Sequence, residues 1–133
     1  MTLAAVREAM VTDLGAVADL RPVEYVQDQV TVNQAVIRRG ELFYHMSLGK
    51  ASDTKHTYQW FVDVYANRSE PRAAQIALDG YCEPSALPNA LEEGTALDAV
   101  TDYVWVKSAS EVRQATVGTT GYLMVTFEVE TCE

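Results

Sequence analysis

The start of the chain carries apolar side chains at the spacing of one helical face. These positions are Leu3, Val6, Met10 and Leu14. Residues three or four positions apart lie together on an α-helix, so this spacing predicts one. Thr2 is placed to accept a backbone N–H at its first turn. Gly15 is predicted to end it, because glycine readily takes the left-handed conformation at which many helices stop.

Between residues 18 and 46 the helical period disappears and short runs rich in Val, Ile and Tyr take its place. The runs are Val23–Val26, Ala35–Ile37 and Leu42–Met46. Such residues are favoured in extended backbone, so the runs predict two or three strands. The segment Ser47–Lys55 that follows is small and polar and predicts a flexible loop.

The segment Thr57–Tyr65 has the clearest strand pattern, since successive side chains on a strand point to opposite faces. One face carries Tyr58, Trp60, Val62 and Val64. The opposite face carries Gln59, Phe61, Asp63 and Tyr65. A strand with aromatic residues on both faces usually has something covering each of them. We expect helices on the first face, and a neighbouring subunit is one candidate for the second.

Two helices are predicted after this strand. Ser69 is placed to cap the first, Pro71 is tolerated in its first turn, and Pro84 marks its end. Its predicted buried residues are Ala73, Ile76, Ala77 and Tyr81. A second, weaker helix is predicted from Ser85 to a stop at Gly94. Its predicted inward residues are Leu87, Ala90 and Leu91.

The C-terminal third predicts a β-hairpin. Asp102–Val117 is predicted to be extended, residues 117–121 supply turn-forming glycines, and Tyr122–Thr131 alternates between apolar and polar positions. The whole order is helix, strands, two helices and hairpin. It predicts one α+β domain over residues 1–133, with the N-terminal and two central helices on one face of a largely antiparallel sheet.

Charge narrows the range of partners. The chain has 10 Lys and Arg against 19 Asp and Glu, a net charge of −9. Proteins that bind nucleic acid tightly attract phosphate with clustered Lys and Arg, and this sequence has no such cluster. We therefore expect protein partners and no specific nucleic-acid binding. The sequence also contains no secretory signal and no apolar run long enough for a membrane helix, so we expect synthesis in the cytoplasm and no membrane contact.

A phosphate-binding loop is the first enzymatic motif that the sequence excludes. Gly49-Lys50 matches the Gly-Lys pair of that motif. The motif also needs a glycine at the position of Tyr44 and a hydroxyl residue at the position of Ala51, and both are missing. A helix would also have to follow, with its N-terminus directed at the phosphate. We therefore predict no nucleotide site.

Metal and catalytic chemistry are also poorly supported. His45 and His56 are the histidines of the chain, and Asp53 is the acid near them, which is too small a set of ligands for a metal site. No Gly-x-Ser-x-Gly motif is present to expose a nucleophile. Cys82 and Cys132 match no zinc spacing, and we expect free thiols, with a disulfide as the alternative. The sequence thus predicts no catalytic, cofactor-binding or metal-binding residue.

A group of apolar residues on the predicted strands favours binding to another protein chain. Four apolar residues lie on strand faces for which no cover is predicted: Phe61, Tyr65, Tyr122 and Met124. They form a candidate assembly interface, because monomers rarely leave such patches open. The alternative is that helices or loops of the same chain cover them.

The C-terminal two-thirds of the chain resembles a known protein family. The segments that carry the resemblance are Tyr58–Tyr65 (YQWFVDVY), Ser69–Tyr81 (SEPRAAQIALDGY), Pro84-Ser85, Ala90–Glu92 (ALE) and Gly118–Val129 (GTTGYLMVTFEV). Their order and spacing resemble the tail terminator, or tail completion, proteins of long-tailed phages that infect actinobacteria. The similarity covers about residues 57–131. The sequence departs from the family at Ala86, where glycine is usual, and at Pro88, which we expect to interrupt the second helix.

The resemblance implies a structural protein of the virion and no cofactor. Such proteins form a ring, commonly a hexamer, that caps the tail tube, stops its polymerisation and offers a surface for joining the head. The implied partners are further copies of the chain, the tail tube protein and a head completion or connector protein. DNA would pass through the ring, which lies at the head–tail junction.

A candidate docking loop lies within Ser47–Lys55, because a flexible segment can become ordered when a partner binds. Its residues are Gly49, Lys50, Asp53 and Lys55. Two alternatives to the terminator stay open. One is a head–tail connector, another neck protein or a tail tube subunit of the same virion. The other is a small host enzyme or ligand-binding domain, which would need converging polar groups in a pocket.

Overall fold

The structure of the chain, a computed structural model, describes residues 2–25, 33–44, 56–118 and 120–132. These residues form helices on one side of a mostly antiparallel sheet, so the predicted α+β class is confirmed. The elements are α1 Leu3–Leu14, β1 Arg21–Val23, β2 Gln34–Phe43, β3 Thr57–Asn67, α2 Pro71–Cys82, α3 Leu87–Glu92, α4 Thr95–Val100, β4 Tyr103–Ala109, β5 Arg113–Val117 and β6 Thr120–Cys132.

Strands β3 and β6 lie at the centre of the sheet. The strand order is β1-β2-β3-β6-β4, and β5 pairs with β6 as well. Strand β1 is parallel to β2, and the other pairings are antiparallel. The two central strands pair without a register shift from Thr57 opposite Cys132 to Asn67 opposite Tyr122.

The C-terminal hairpin is confirmed, with one interruption in its first arm. The predicted extended segment forms β4 and β5, which pair with consecutive parts of β6. Residues 110–112 separate them, and the Ser110 N–H donates to the Thr126 carbonyl at 2.8 Å across this break. Val117 pairs with Thr120 at the tip. Gly118 between them has a φ of 64°, a conformation that glycine adopts without steric cost.

The core lies between the helices and one face of the sheet, which we call the inner face. Trp60 on β3 and Phe127 on β6 are its largest fully buried side chains. Trp60 Nε1 donates to Thr131 Oγ1 at 3.0 Å, which satisfies the indole N–H inside the core. The apolar residues predicted for one face of the central strand, Tyr58, Trp60, Val62 and Val64, are all part of this core.

Helix α1 forms as predicted. Thr2 Oγ1 accepts the Ala5 N–H at 3.0 Å, and Val6, Met10 and Leu14 are fully buried. The helix ends at the predicted glycine, but Gly15 has a φ of −60°. The expected left-handed conformation at this glycine is therefore wrong, and a left-handed residue follows only at Asp19, with a φ of 60°.

The buried face of helix α2 agrees with the predicted one at Tyr81 and in part at Ala77, but not at its other two positions. Its buried residues are Ala74, Leu78 and Tyr81, whereas Ile76 is 57% exposed and Ala73 is exposed. Alanines at 73, 74 and 77 make two neighbouring faces of the helix almost equally apolar, so the pattern of apolar residues does not distinguish the buried face from its neighbour. The predicted cap at Ser69 is also wrong, because the helix starts at Pro71 without a side-chain cap.

Of two predictions about the following segment, one is wrong and one is confirmed. Pro88 does not interrupt the second helix, because α3 begins at Leu87 and proline is tolerated in the first turn. The predicted stop at Gly94 is confirmed, because α3 ends at Glu92 and this glycine separates it from a further helix, α4, which starts at Thr95. This short helix was not predicted.

The N-terminal strands differ from prediction in their bounds. The runs Ala35–Ile37 and Leu42–Met46 belong to one strand, β2, as far as Phe43. The strand is irregular between Arg39 and Leu42. The run predicted at Val23–Val26 begins earlier, at Arg21, and ends at Val23. Residue 26 and residues 45–46 lie outside the described residues.

Helix α4 is fixed by a carboxylate from the N-terminal helix, which packs against it. Asp13, near the end of α1, is buried, and its two oxygens accept the Ala96 and Leu97 N–H groups at 3.1 and 2.9 Å. These are N–H groups that the first turn of a helix cannot satisfy internally. A Cβ at Gly94 would overlap the Asp13 carboxylate, so glycine makes room for the cap.

We expect Asp13→Ala to lower the free energy of unfolding by about 1–3 kcal/mol, because two buried N–H donors lose their acceptor. Urea denaturation measures this change. Glu8→Ala, which removes an exposed carboxylate from the same helix, is the matched control and should change stability by less than about 0.5 kcal/mol. Equal effects of the two variants would contradict the capping role.

Candidate functional site: the outer face of the sheet

The face of the sheet that points away from the helices, which we call the outer face, brings the predicted interface residues together. Phe61 and Tyr65 alternate with the core residues of β3, and Tyr122 and Met124 alternate with those of β6. Tyr65 is directly opposite Met124 in the antiparallel register. All four candidate residues therefore share this face.

Their exposure differs from the expectation of an open apolar patch. Tyr122 and Met124 are buried, with 6% and 8% of their surface exposed, and Phe61 and Tyr65 are half-buried. The Tyr65 and Tyr122 rings meet edge to face, with centroids 6.0 Å apart and an interplanar angle of 77°. Strand β5 also flanks this end of β6. Neighbouring side chains and β5 thus bury much of what we expected to be exposed.

A polar network occupies the centre of the outer face. The Asp63 carboxylate, on β3, is buried and accepts two hydrogen bonds from Arg38 on β2, at 2.6 and 3.2 Å. Thr126 Oγ1 donates to the same carboxylate at 2.7 Å, and Arg113 donates to Thr126 Oγ1 at 2.6 Å. The two-pronged contact of Arg38 fixes its guanidinium in one orientation.

The network shifts the pKa values of one of its members, Arg38, and of the neighbouring Tyr65. The hydrogen bond to Asp63 raises the pKa of Arg38 above its ordinary value. Burial raises the pKa of the Tyr65 phenol, and the negative charge of Asp63 raises it further. Both shifts keep the side chains in their usual protonation states at neutral pH.

A groove of about 570 Å³ opens over this network. It is lined by Arg38, Phe61, Ser108, Ser110, Glu111, Arg113, Thr126 and Glu128. The Arg38 guanidinium carbon lies 4.8 Å from the centroid of the Phe61 ring, within the range of a cation–π contact. The groove therefore combines one aromatic surface with two cationic groups, Arg38 and Arg113, and two carboxylates, Glu111 and Glu128.

One end of the groove is held by Gln59. Its Oε1 accepts the Glu41 N–H at 3.0 Å, and its Nε2 donates to Glu128 Oε1 at 2.8 Å. A Cβ at Gly40 would lie 2.6 Å from Gln59 Oε1 and 2.8 Å from the Phe61 ring. Glycine at the irregular part of β2 thus lets the Gln59 and Phe61 side chains lie over the strand.

The exposed aromatic residues of the outer face were missed at the level of sequence. Trp105 and Tyr103 on β4 are 57% and 40% exposed, and Trp105 is opposite Glu130 of β6. The sequence pattern that identifies them is the alternation of Tyr103 and Trp105 with Val104 and Val106. Such alternation is typical of a half-buried strand. Val104 and Val106 pack against the core, which turns the two aromatic rings outward.

The candidate docking loop cannot be placed on this face. Gly49, Lys50, Asp53 and Lys55 lie outside the described residues, as does His45. His56 is described: its ring stacks on Tyr58 with centroids 6.2 Å apart, and its Nδ1 lies 2.8 Å from the Tyr44 carbonyl. This contact joins the two ends of the intervening segment.

No protein-family model matches the chain, and no curated protein matches it. Within the described ranges, no helix is long and apolar enough to cross a membrane. Cys82 and Cys132 are free thiols, as expected, with Cys132 buried.

We expect Arg38→Met to lower the free energy of unfolding by about 1–3 kcal/mol, because Asp63 would remain buried with one hydrogen bond fewer on each oxygen. The loss is smaller than for a fully buried ion pair, since the Arg38 side chain is 44% exposed. Urea denaturation of Arg38→Met, Asp63→Asn and the double variant gives the coupling between the two residues. Arg39→Met, on the same strand and exposed, is the control. The network has no special role if both arginine variants lose the same stability.

Proposed function

We propose that this chain is the tail terminator of a long-tailed phage and acts by assembly, without an active site or a cofactor. Copies of the chain form a ring at the end of the tail tube, stop its polymerisation and offer a surface for head joining. The partners are further copies of the chain, the tail tube protein and a head completion or connector protein. DNA passes through the ring without being bound specifically.

The outer face of the sheet carries this proposal. Helices pack on the inner face, while the outer face presents Trp105, Tyr103 and a groove with Arg38 and Arg113. Aromatic residues and arginine are both enriched at protein interfaces. A face of this composition on a small domain favours contact with another protein.

The segments that resemble the terminator family occupy connected parts of this fold. Residues 58–65 lie within β3, residues 118–129 include most of β6, and residues 69–81 include most of α2. Strands β3 and β6 pair along their length, and α2 packs against both. The similarity thus concerns the centre of the domain, which supports a shared fold and assembly role.

Closure of the ring is the proposed mechanism that stops polymerisation of the tube. A contact between two different surfaces of the same chain continues from subunit to subunit and closes when the rotation per step completes a circle. A closed ring has no free subunit edge, so a tube capped by it has no site for a further tube subunit. The candidate docking loop, with Gly49, Lys50, Asp53 and Lys55, is proposed to contact the tube.

We expect light scattering over a concentration series to give a discrete assembly near six times the 14.7 kDa mass of the chain. Added to polymerising tail tube protein of the same phage, the chain should shorten the tubes seen by electron microscopy. Growth into open-ended tubes by the chain alone would instead identify a tube subunit. A monomer that leaves tube length unchanged would contradict the terminator and favour a ligand-binding domain.

We expect Trp105→Ser to weaken self-association by about tenfold or more, because truncated aromatic anchors commonly cost an interface over 1 kcal/mol. The variant should keep its unfolding free energy within about 0.5 kcal/mol, since the side chain is 57% exposed in the single chain. Sedimentation measures the first quantity and urea denaturation the second. Unchanged association would exclude Trp105 from the subunit contact.

A further inference from the structure

A cavity on the helical side of the domain is separate from the outer face of the sheet. It has a volume of about 510 Å³ and opens between α2, α3 and the turn that joins α1 to β1. Small side chains form most of its walls, among them Val17 of the turn, Ala77 and Gly80 of α2, and Ala86 and Ala90 at α3. Its volume lies within the range of about 300–1,000 Å³ that is usual for ligand sites.

A second cavity extends the first one along α2. It has a volume of about 290 Å³ and shares Asn33 and Ala77 with the larger cavity. Glu70 and Ala73 line its far part. The joined space, which we call the α2 cleft, follows the side of α2 that carries Ala73, Ala77 and Gly80, because residues at these intervals share one side of a helix. A cleft that follows two turns of a helix suits an extended chain better than a compact small molecule.

The fold leaves the centre of the α2 cleft unfilled. Gly80 lies inside α2, and a Cβ at this position would meet no atom within 4 Å. Glycine inside a helix is destabilising relative to alanine, and no neighbouring group here requires a glycine. Bare helix backbone in an apolar cleft allows a side chain of another molecule to approach it closely.

The elements that surround the cleft carry negative charge. Between residues 8 and 20, and again between residues 73 and 106, the chain has acids but no Lys, Arg or His. Asp19 lines the cleft at one end and Glu70 at the other, and both are exposed. Glu83, between the lining residues Tyr81 and Ser85, is exposed as well. Among the described residues, neither cavity has a cationic side chain in its lining.

The arginines closest in sequence to these elements lie elsewhere. Arg7 donates to two backbone carbonyls at 2.6 and 2.8 Å, and Arg68 donates to a side chain of β5 at 3.2 Å. Arg21 of β1 is in register with an outer-face position of β2, so it lies on the outer face. Arg72 is exposed in the first turn of α2, more than two turns of helix from Gly80. The end of the cleft near Gly80 therefore has a negative potential.

Asp19 is held at this end of the cleft. Its φ of 60° belongs to the left-handed region, which Asp and Asn adopt more readily than other residues with a side chain. The Tyr81 hydroxyl donates to the Asp19 carbonyl at 2.9 Å, which joins the turn to α2. Burial raises the pKa of the Tyr81 phenol, and the charge of Asp19 raises it further. The carboxylate thus acts on the wall of the cleft that Tyr81 forms.

We infer that the α2 cleft binds an extended segment of a partner protein in which an apolar side chain is flanked by Lys or Arg. The apolar side chain lies over Gly80, between the alanines of α2 and α3, and a flanking cation contacts the Asp19 carboxylate. A basic partner is favoured over another copy of this chain, because copies with a net charge of −9 repel one another. The inference goes beyond the proposed function and does not depend on it.

Matched peptides test the apolar and the cationic part of this contact. The probes are blocked, dye-labelled peptides with the sequences Gly-Lys-Leu-Lys-Gly, Gly-Lys-Ala-Lys-Gly and Gly-Glu-Leu-Glu-Gly, and fluorescence anisotropy gives their Kd for the whole chain. We expect the Lys-Leu-Lys peptide to bind at least about tenfold more tightly than the Glu-Leu-Glu peptide, since like charges oppose binding. The Lys-Ala-Lys peptide should bind about fivefold more weakly or worse, because alanine buries less apolar surface than leucine.

Two pairs of variants locate the binding site. Gly80→Leu fills the cleft and should weaken binding of the Lys-Leu-Lys peptide at least about tenfold, whereas Gly80→Ala changes the backbone in the same way and should weaken it less than about threefold. Asp19→Asn keeps the shape and the left-handed backbone, and should weaken binding about two- to fivefold, the usual effect of one exposed ion pair. Glu8→Gln makes the same charge change at an exposed position outside the cleft and should leave the Kd unchanged.

Urea denaturation checks that the variants fold. Gly80→Leu should be no less stable than the wild type, because it replaces glycine at an exposed helical position. The inference is overturned if the Lys-Leu-Lys peptide does not bind, if the acidic peptide binds equally tightly, or if folded Gly80→Leu protein binds like the wild type. Equal losses in Asp19→Asn and Glu8→Gln would also overturn it, since the attraction would then be a general effect of charge. The measurement involves neither ring formation nor tail tubes, so its failure leaves the proposed function standing.

Discussion

The pairing of β3 with β6 is the contact on which the other elements depend. It runs without a register shift along the full length of β3. A strand with period-two alternation fixes which side chains face which way, and a slip by one residue would exchange the two faces. In this register Trp60 and Phe127 lie in the core, and Asp63 meets Thr126 on the opposite side. The core and the groove are thus two results of one alignment.

The sequence predicted those elements whose pattern is local and strong. Helix α1 has large apolar residues at helical spacing, and β3 and β6 alternate clearly, so all three were identified. Helix α2 was found, but its buried face only in part, because small alanines distinguish two neighbouring faces weakly. Helix α4 was missed, since its stabilising carboxylate comes from Asp13, more than 80 residues away in sequence.

The sequence predicted where the candidate site lies, but not how exposed its residues are or which polar contacts they make. Alternation was enough to place Phe61, Tyr65, Tyr122 and Met124 on a common side of the sheet. Their exposure could not be read from the sequence, because it depends on whether β5 flanks β6. The contact between Arg38 and Asp63 depends on the register between β2 and β3, which no local pattern specifies. Polar groups that meet across strands therefore become visible only in the folded chain.

The position of β6 between β3 and the segment formed by β4 and β5 has a consequence for the making of this protein. Every chain that lacks residues 120–132 has lost the middle of its sheet, and the separated parts would each present an unpaired edge to solvent. Strands β1, β2 and β3 still pair with one another in such a chain, but β4 and β5 lose the strand that joins them to the sheet. Exposed strand edges promote aggregation, so we expect the last strand of the sequence to be needed for the whole sheet to form.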